Sequence, residues 1–317
     1  MAEAVAQAAG PPARNGHGVT PVRKDRSNAV PHARQADAWT NWMQDMPAST
    51  IRTIPIKHCN FEAKVRTAGS GPPLVYLHAA GGPIWDPFVE WLTQDYTVYA
   101  PHHPGTGETV RESIYAVESL WDLVLIYDEL FDALKLDTIP IIGTSFGGMM
   151  ACELAAHRPE RISRMVVLDP IGLWRDDAPV APYMLMPPDK LLATLYKDLE
   201  SEPVKAQIKM PDDPDEVAVM TADLVWALGA TGKFVWPIPD KGLKKRLHRV
   251  TAPTLIVWGE DDALVSAVYA KEFAARIANS RVEIIKDCGH VPQVERLDAL
   301  KPLVANFLAA QRVAATA

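Results

Sequence analysis

The sequence has little cysteine, no excess of positive charge and no long uninterrupted apolar run. Its 317 residues contain three scattered cysteines, Cys59, Cys152 and Cys288, which is too few for a disulfide framework or a cysteine-rich zinc site. The net charge of −7 disfavours nonspecific nucleic-acid binding, which needs a basic surface. No stretch approaches the roughly 18 consecutive apolar residues of a membrane span, and the first residues lack the basic segment and long apolar segment of a secretory signal. We therefore expect a cytoplasmic protein with reduced thiols, no nucleic-acid partner and no membrane span.

The N-terminal region also lacks apolar periodicity. Residues 1–36 are rich in Ala, Pro, Gly, Asn and Arg, a composition that predicts a disordered tail. The following stretch "ADAWTNWMQDM", residues 36–46, predicts a short helix that docks Trp39 and Trp42 on the body of the protein.

Beyond residue 50 the pattern becomes regular. Two segments alternate apolar and polar residues, as half-buried antiparallel strands do: "IRTIPIK" (51–57) and "FEAKVRTA" (61–68). Six mostly continuous apolar runs then predict central strands buried on both faces, at residues 73–78, 96–101, 138–143, 164–170, 253–259 and 282–287. Helical patterns separate these runs. Strands that alternate with helices predict an α/β domain with a mostly parallel central sheet flanked by helices.

One interval interrupts this alternation. Residues 172–250 contain short helical patterns divided by proline-rich stretches and no strand-like run. We expect this interval to be a helical cap inserted over one end of the sheet. The sheet domain is then predicted to comprise residues 37–171 and 251–317.

Polar residues that could carry chemistry stand directly after the apolar runs. Ligands of parallel sheets bind beyond the carboxyl ends of the strands, and Ser145, Asp169, Asp262 and His290 all occupy such positions. A serine hydroxyl becomes an effective nucleophile when an imidazole takes its proton and a carboxylate orients that imidazole. The tight Gly-x-Ser-x-Gly turn around Ser145 needs glycines, because side chains there would collide with the neighbouring strand and helix.

Five motifs carry a resemblance to a known family. They are "LHAAGG" (77–82), "HHPGTGE" (102–108), "GTSFGG" (143–148), "WGEDDALVS" (258–266) and "CGHVPQVER" (288–296). In this order and strand context the chain resembles the α/β-hydrolase fold superfamily, in its branch of serine esterases and carbon–carbon bond hydrolases. The resemblance covers roughly residues 50–312 and is least specific in the predicted cap.

The resemblance implies a role for each matching residue. Ser145 is the expected nucleophile, His290 the general base and Asp262 the triad acid, with Asp169 as a reserve acid because some relatives place the acid after that strand. The backbone amides of Phe146 and Ala80 are the expected oxyanion donors.

The oxyanion loop departs from the family pattern at one position. Ala79 stands where glycine is usual, so the approach of this loop to the substrate differs from that of relatives.

A substrate pocket is predicted from residues beside these motifs and from the aromatic residues of the cap. Its candidates are His78, Ala79, Trp85, Trp174, Trp226 and Trp236, with about half of the tryptophans serving cap packing instead. The ring of Phe146 is a further candidate for the pocket wall. His102 and His103 are adjacent without other ligands at metal-site spacing, so neither a metal nor a cofactor is expected.

A serine at the nucleophile position predicts acyl transfer to a small-molecule substrate. The first hypothesis is hydrolysis of a carboxylic ester, or of a lactone or thioester, with a medium-sized apolar substrate. A second is hydrolysis of a carbon–carbon bond in ring-fission products. Such hydrolases use a cap arginine and a tryptophan after the histidine, where this chain offers Arg175 and has Val291.

Two further hypotheses use the same fold. One is a non-catalytic ligand receptor that signals by movement of the cap, and the other is cofactor-free oxygenation or perhydrolysis. The sequence does not distinguish a monomer from a homodimer.

Overall fold

The computed structural model describes residues 49–314, and eight strands within them form one sheet. The predicted disordered tail and the short helix over residues 36–46 lie outside the described residues. Along the sheet the strand order is β1-β2-β4-β3-β5-β6-β7-β8. The strands are β1 (Thr50–Ile56), β2 (Phe61–Ala68), β3 (Pro73–Leu77), β4 (Thr97–Pro101), β5 (Ile139–Thr144), β6 (Ile162–Leu168), β7 (Thr254–Gly259) and β8 (Ser280–Ile285).

The sheet is mostly parallel, as the sequence predicts. Strand β2 runs antiparallel to both β1 and β4, and all the other neighbouring pairs are parallel. Strands β5 and β7 are buried at every position, because helices cover both of their faces. The carboxyl ends of β3 to β8 therefore meet at one edge of the sheet.

Helices cover the two faces of the sheet and form separate apolar clusters with it. The described helices are α1 (Pro87–Leu92), α2 (Leu120–Ala133), α3 (Phe146–His157), α4 (Pro188–Leu195), α5 (Glu202–Ile208), α6 (Pro214–Val235), α7 (Val268–Ala274), α8 (Pro292–Glu295) and α9 (Leu297–Ala314). Helices α2, α3 and α7 pack on one face, and α1 and α9 pack on the other. This arrangement confirms the predicted α/β domain, a mostly parallel central sheet flanked by helices.

The long interval between β6 and β7 contains α4, α5 and α6 and no strand. Helix α6 extends over the loop that follows β3, where the Thr231 hydroxyl donates a hydrogen bond to the Ala80 carbonyl at 3.2 Å. A side chain on Gly81 would come within 3.3 Å of Leu224 of the same helix. The helical interval thus covers part of the edge where the strand ends meet, while its boundaries at residues 172 and 250 stay a prediction.

Helix α6 is also the one helix among residues 49–314 that is long and apolar enough to cross a membrane by length and composition. Its mean hydropathy is 1.2, and 28% of the apolar window is buried. Core helices of soluble proteins meet the same criterion, so one such helix does not establish a span.

Candidate active site

Ser145 lies on a sharp turn between β5 and α3, with φ 52° and ψ −112°. Two glycines allow this turn because the backbone leaves no space for side chains. A Cβ atom on Gly143 would collide with the Gly147 carbonyl oxygen, and one on Gly147 would collide with the Leu77 carbonyl oxygen of β3. The Ser145 amide donates to the Leu168 carbonyl at 2.8 Å, which ties the turn to β6. The Gly-x-Ser-x-Gly spacing therefore reflects close backbone packing.

The structure brings Ser145, His290 and Asp262 into one chain of hydrogen bonds. His290 Nε2 lies 2.9 Å from Ser145 Oγ, and His290 Nδ1 lies 2.7 Å from Asp262 Oδ2. All three side chains are buried. Since an Nδ1–H donates to the carboxylate, Nε2 is left free to accept the serine proton.

Asp262 is held by donors on both oxygens. Oδ1 accepts the amides of Leu264 and Val265, each at 2.8 Å, and Oδ2 accepts the indole N–H of Trp258 at 3.1 Å in addition to His290. These hydrogen bonds satisfy both carboxyl oxygens. They also fix the carboxylate plane that orients the imidazole.

His290 is anchored through its backbone and its neighbours. Its amide donates to the Leu195 carbonyl at 2.8 Å, at the end of helix α4. Buried Glu295 accepts the amides of Gly289 and Lys197, each at 2.8 Å, so it joins the histidine loop to the helical interval. Burial raises the pKa of the Glu295 carboxyl.

Sequence reasoning missed Glu295 and Trp258 as parts of this site. The signal for Glu295 was an acid in the short segment after His290, and the signal for Trp258 was an indole at the end of an apolar strand. Neither signal shows which atom the side chain contacts.

The predicted oxyanion donors lie at the start of helix α3 and in the loop after β3, at the same edge of the sheet. Phe146 is the first residue of the twelve-residue helix α3, whose first amides have no partner within the helix. Ala80 follows β3 in a loop closed by a hydrogen bond from the Gly82 amide to the Ala79 carbonyl at 3.3 Å. The Phe146 ring is fully buried and packs edge-on against His103 at 4.9 Å, so the ring belongs to the core.

The His78 ring holds the loop after β3 in place through hydrogen bonds. Its Nε2 accepts the His103 amide at 3.0 Å, so Nδ1 carries the proton and donates to the Ala79 carbonyl at 2.7 Å. Burial holds the pKa of His78 well below its ordinary value. The neutral His78 ring therefore has a structural role in fixing this loop.

His102 and His103 are also buried and neutral. His103 Nε2 donates to the His78 carbonyl at 3.0 Å, and its Nδ1 accepts the Tyr127 hydroxyl at 2.5 Å. His102 Nδ1 accepts the Glu108 amide at 3.1 Å. Burial lowers the pKa of His102 to about 3 and that of His103 to about 4. Both imidazoles are engaged in loop structure.

The predicted reserve acid, Asp169, lies beside the triad. Its carboxyl is fully buried, and Oδ1 accepts the Gly259 amide at 2.8 Å. Asp169, Asp262 and His290 each have one potential metal-ligand atom within 4.8 Å of those of the other two residues. These three could in principle hold a metal, but both ring nitrogens of His290 already contact Ser145 and Asp262, so the group fits a metal poorly.

A second such group lies away from the triad. His58, Cys59 and Asp122 have donor atoms within 4.8 Å of one another, and His58 Nε2 lies 3.0 Å from Asp122 Oδ1.

The four tryptophans proposed for the pocket occupy different surroundings. Trp85 packs in the apolar cluster on the sheet face opposite to Phe146, and its indole donates to Glu90 at 3.0 Å. Trp174 donates to Asp176 at 2.8 Å, and Trp226 packs against Tyr115. Trp236 directly follows helix α6 and is 43% exposed. Their role in a pocket stays a prediction.

The fold and the arrangement of loops at its edge define a class. The family model for the α/β-hydrolase family matches residues 74–302 of this chain. The chain is therefore a hydrolase of the α/β-hydrolase family.

Individual relatives differ in what they act on. A 2-hydroxy-6-oxononadienedioate/2-hydroxy-6-oxononatrienedioate hydrolase of Klebsiella pneumoniae subsp. pneumoniae is 30% identical over 289 residues, covering 84% of this chain and 93% of that protein. Monoacylglycerol lipase ABHD6 of Rattus norvegicus is 24% identical over 269 residues, covering 76% of each chain.

Solved structures share the fold. The crystal structure of a membrane phospholipase A, a bacterial virulence factor, superimposes with a TM-score of 0.71 at 21% identity, covering 88% of this chain and 92% of that one.

Proposed function

We propose that this protein hydrolyses a carboxylic ester, lactone or thioester of a medium-sized apolar substrate through an acyl-enzyme on Ser145. The observation that carries the proposal is the continuous hydrogen-bond chain from Ser145 Oγ through His290 to Asp262. Both ends of this chain are fixed by backbone groups, as the activation of a serine hydroxyl requires.

The reaction follows from these contacts. Ser145 Oγ attacks the acyl carbon while its proton passes to His290 Nε2, and Asp262 stabilises the resulting imidazolium. The amides of Phe146 and Ala80 donate to the negatively charged oxygen. His290 then gives its proton to the leaving alcohol or thiol. A water molecule, deprotonated by His290, releases the acid and restores the serine.

The two arginines at the ends of the helical interval are already paired with acidic residues of the protein, which favours an ester over a ring-fission product as the substrate. Ring-fission substrates carry a carboxylate that needs a cationic partner in the pocket. Arg175 is engaged by Asp177 and Glu272, with N–O distances of 2.6 and 2.7 Å. Arg246 forms a bidentate pair with buried Glu153 at 2.7 and 2.6 Å. Both guanidinium groups are thus committed to acids of the protein itself.

Carbon–carbon bond hydrolysis remains the second candidate. It is favoured by the 30% identity to the Klebsiella pneumoniae hydrolase, which extends over 93% of that protein. The same serine, histidine and aspartate would serve that reaction, so the two candidates differ in substrate and share the residues.

Labelling with a fluorophosphonate, followed by mass spectrometry, tests the activated serine directly. We expect the adduct on Ser145, no adduct in Ser145→Ala, and normal labelling in the matched control Ser70→Ala, whose serine is exposed in the loop after β2. On p-nitrophenyl esters, Ser145→Ala should lower kcat by about 10⁴-fold or more.

Three outcomes would contradict the proposal. Ester hydrolysis that survives Ser145→Ala would exclude the mechanism. A ring-fission dienoate cleaved faster than every ester would establish the second candidate. Absence of labelling, together with a stable ligand complex that shows no turnover, would indicate a receptor.

A further inference from the structure

Asp169 has an unusual environment for a carboxyl group. It follows β6 with φ 45°, and its side chain is fully buried between the ends of β6 and β7. Oδ1 accepts the Gly259 amide, but Oδ2 has no hydrogen-bond partner among the described residues. A buried carboxylate with one donor is strongly disfavoured, because burial removes the water that would solvate its charge.

The nearest acid makes this environment still less favourable for a second charge. A carboxyl oxygen of Asp169 lies within 4.8 Å of one of Asp262, and both side chains are buried. Two carboxylates at such a distance in a dry site do not both ionise near neutral pH. One of the pair must therefore keep a proton.

The hydrogen bonds decide which acid keeps it. Asp262 accepts two backbone amides, the Trp258 indole and His290, whereas Asp169 accepts one amide. Four donors stabilise the ionised form of Asp262. Burial, followed by the negative charge of Asp262, raises the pKa of Asp169 well above its ordinary value.

The other titratable groups near Asp169 act in the same direction or are neutral. Glu295, on helix α8, adds negative potential that disfavours ionisation of Asp169. Cys288 is a buried thiol whose pKa is raised chiefly by burial, so it stays neutral and does not offset the charge of a carboxylate. His290 faces Asp262 with its Nδ1 and Ser145 with its Nε2.

We propose that Asp169 is a positioning residue, a neutral carboxylic acid whose Oδ2 proton is donated to the Asp262 carboxylate. This inference rests on the proposed triad. If Asp169 is neutral, the two carboxyl groups near His290 carry one negative charge in total, on Asp262. The Asp262 carboxylate also accepts a further hydrogen bond, which fixes its orientation. Asp169 also becomes the nearest alternative partner for His290 when the charge of Asp262 is removed.

The decisive variant is Asp169→Asn, because asparagine reproduces the neutral acid. Its carbonyl oxygen can accept the Gly259 amide, and its amino group can donate to Asp262. We expect the rate of fluorophosphonate labelling, kcat and the pH profile of kcat to stay within about threefold of the wild-type values, a difference smaller than the loss of one hydrogen bond.

Asp169→Ala provides the matched comparison. It removes the donor to Asp262, so kcat should fall by about tenfold with little change in KM, as expected for a misplaced triad. The acid limb of the kcat–pH profile should also shift, which a merely structural role would not cause. If Asp169→Ala instead keeps the wild-type kcat and pH profile, the positioning role is excluded.

Infrared spectroscopy measures the proton itself and depends on no substrate. In the inactive Ser145→Ala protein at neutral pH, the carbonyl absorption of neutral carboxylic acids should include one component that is lost when Asp169→Asn is added. A band that is unchanged by Asp169→Asn, or an Asp169→Asn protein as slow as Asp169→Ala, would show that Asp169 is ionised and overturn the inference. Failure of the ester assay alone would concern only the proposed function.

A double variant tests whether Asp169 can replace Asp262 as the partner of His290, in addition to positioning Asp262. Asp262→Asn should keep a residual labelling rate that is lost when Asp169→Asn is added. Equal rates in the single and double variants would show that Asp169 does not replace Asp262.

Discussion

The two sides of the candidate site are held in different ways. On the nucleophile side, the turn around Ser145 is fixed by backbone packing, with Gly143 and Gly147 against neighbouring carbonyl groups. On the histidine side, His290 depends on the side chain of Glu295 and on Leu195 of the helical interval. The first arrangement tolerates no added atom, whereas the second can loosen when one carboxyl or the interval changes.

Burial also shifts the pKa values on the two sides of the site in opposite directions. Beside the nucleophile turn, burial lowers the pKa of His78, His102 and His103, so neutral imidazoles lie beneath the oxyanion loop. On the histidine side, burial raises the pKa of Asp169 and Glu295. Falling pH therefore destabilises the first side, and rising pH destabilises the second.

The largest effect is expected for Gly147→Ala. The added Cβ would collide with the backbone carbonyl of Leu77, which cannot move without distorting β3. The free energy of unfolding in urea should fall by about 3 kcal/mol or more, with loss of fluorophosphonate labelling. The matched control is Gly229→Ala in α6, where a Cβ meets nothing within 4 Å. It should raise stability by about 0.5–1 kcal/mol. Wild-type stability of Gly147→Ala would contradict the backbone account.

A smaller effect is expected from acid on the nucleophile side. The unfolded chain protonates His102 near pH 6.5, whereas the folded protein does so only at about pH 3. Stability that is present above pH 6.5 is thus lost as the pH falls, by about 1.4 kcal/mol per pH unit for this residue. His102→Asn, which can still accept the Glu108 amide, should reduce the slope of unfolding free energy between pH 6.5 and pH 4.5. Identical slopes in the two proteins would show that folded His102 takes up the proton.

The smallest effect is expected for Glu295→Gln on the histidine side. Glutamine can accept one of the two amides, but its amino group would face the other amide N–H. The unfolding free energy should fall by about 1–2 kcal/mol, and kcat should fall several-fold with KM little changed, because His290 is held less firmly. The control Glu118→Gln, at an exposed position, should change neither. A wild-type kcat in Glu295→Gln would show that the interval does not position His290.

The central sheet could be predicted because its signal is local. The apolar run over residues 138–143 corresponds to β5 (Ile139–Thr144), and the run over 253–259 corresponds to β7 (Thr254–Gly259). Strands buried on both faces need apolar side chains at nearly every position, so the pattern survives without knowledge of the partners. The same argument placed Ser145, Asp262 and His290 at one edge, since parallel strands end on the same side.

The surroundings of the aromatic residues could not be predicted in this way. The sequence proposes Trp85 for the pocket, a role that stays a prediction, but it gives no sign that the indole packs in the apolar cluster on the sheet face opposite to Phe146. Phe146 was considered for the pocket wall, yet its ring is enclosed by His103 and Phe234. Loop conformation and long-range packing decide these directions, and neither leaves a periodic signal.

The sequence by itself determined the succession of strands and helices along the chain, the tight turn at Ser145 and the two acidic residues that could pair with His290. These features depend on residue type and on spacing along the chain. Only the tertiary structure decided that Asp169 comes within 4.8 Å of Asp262 and His290, and that Glu295 joins the histidine loop to the helical interval. Such choices depend on directions of side chains from separate strands and helices, which become defined only when the elements pack together.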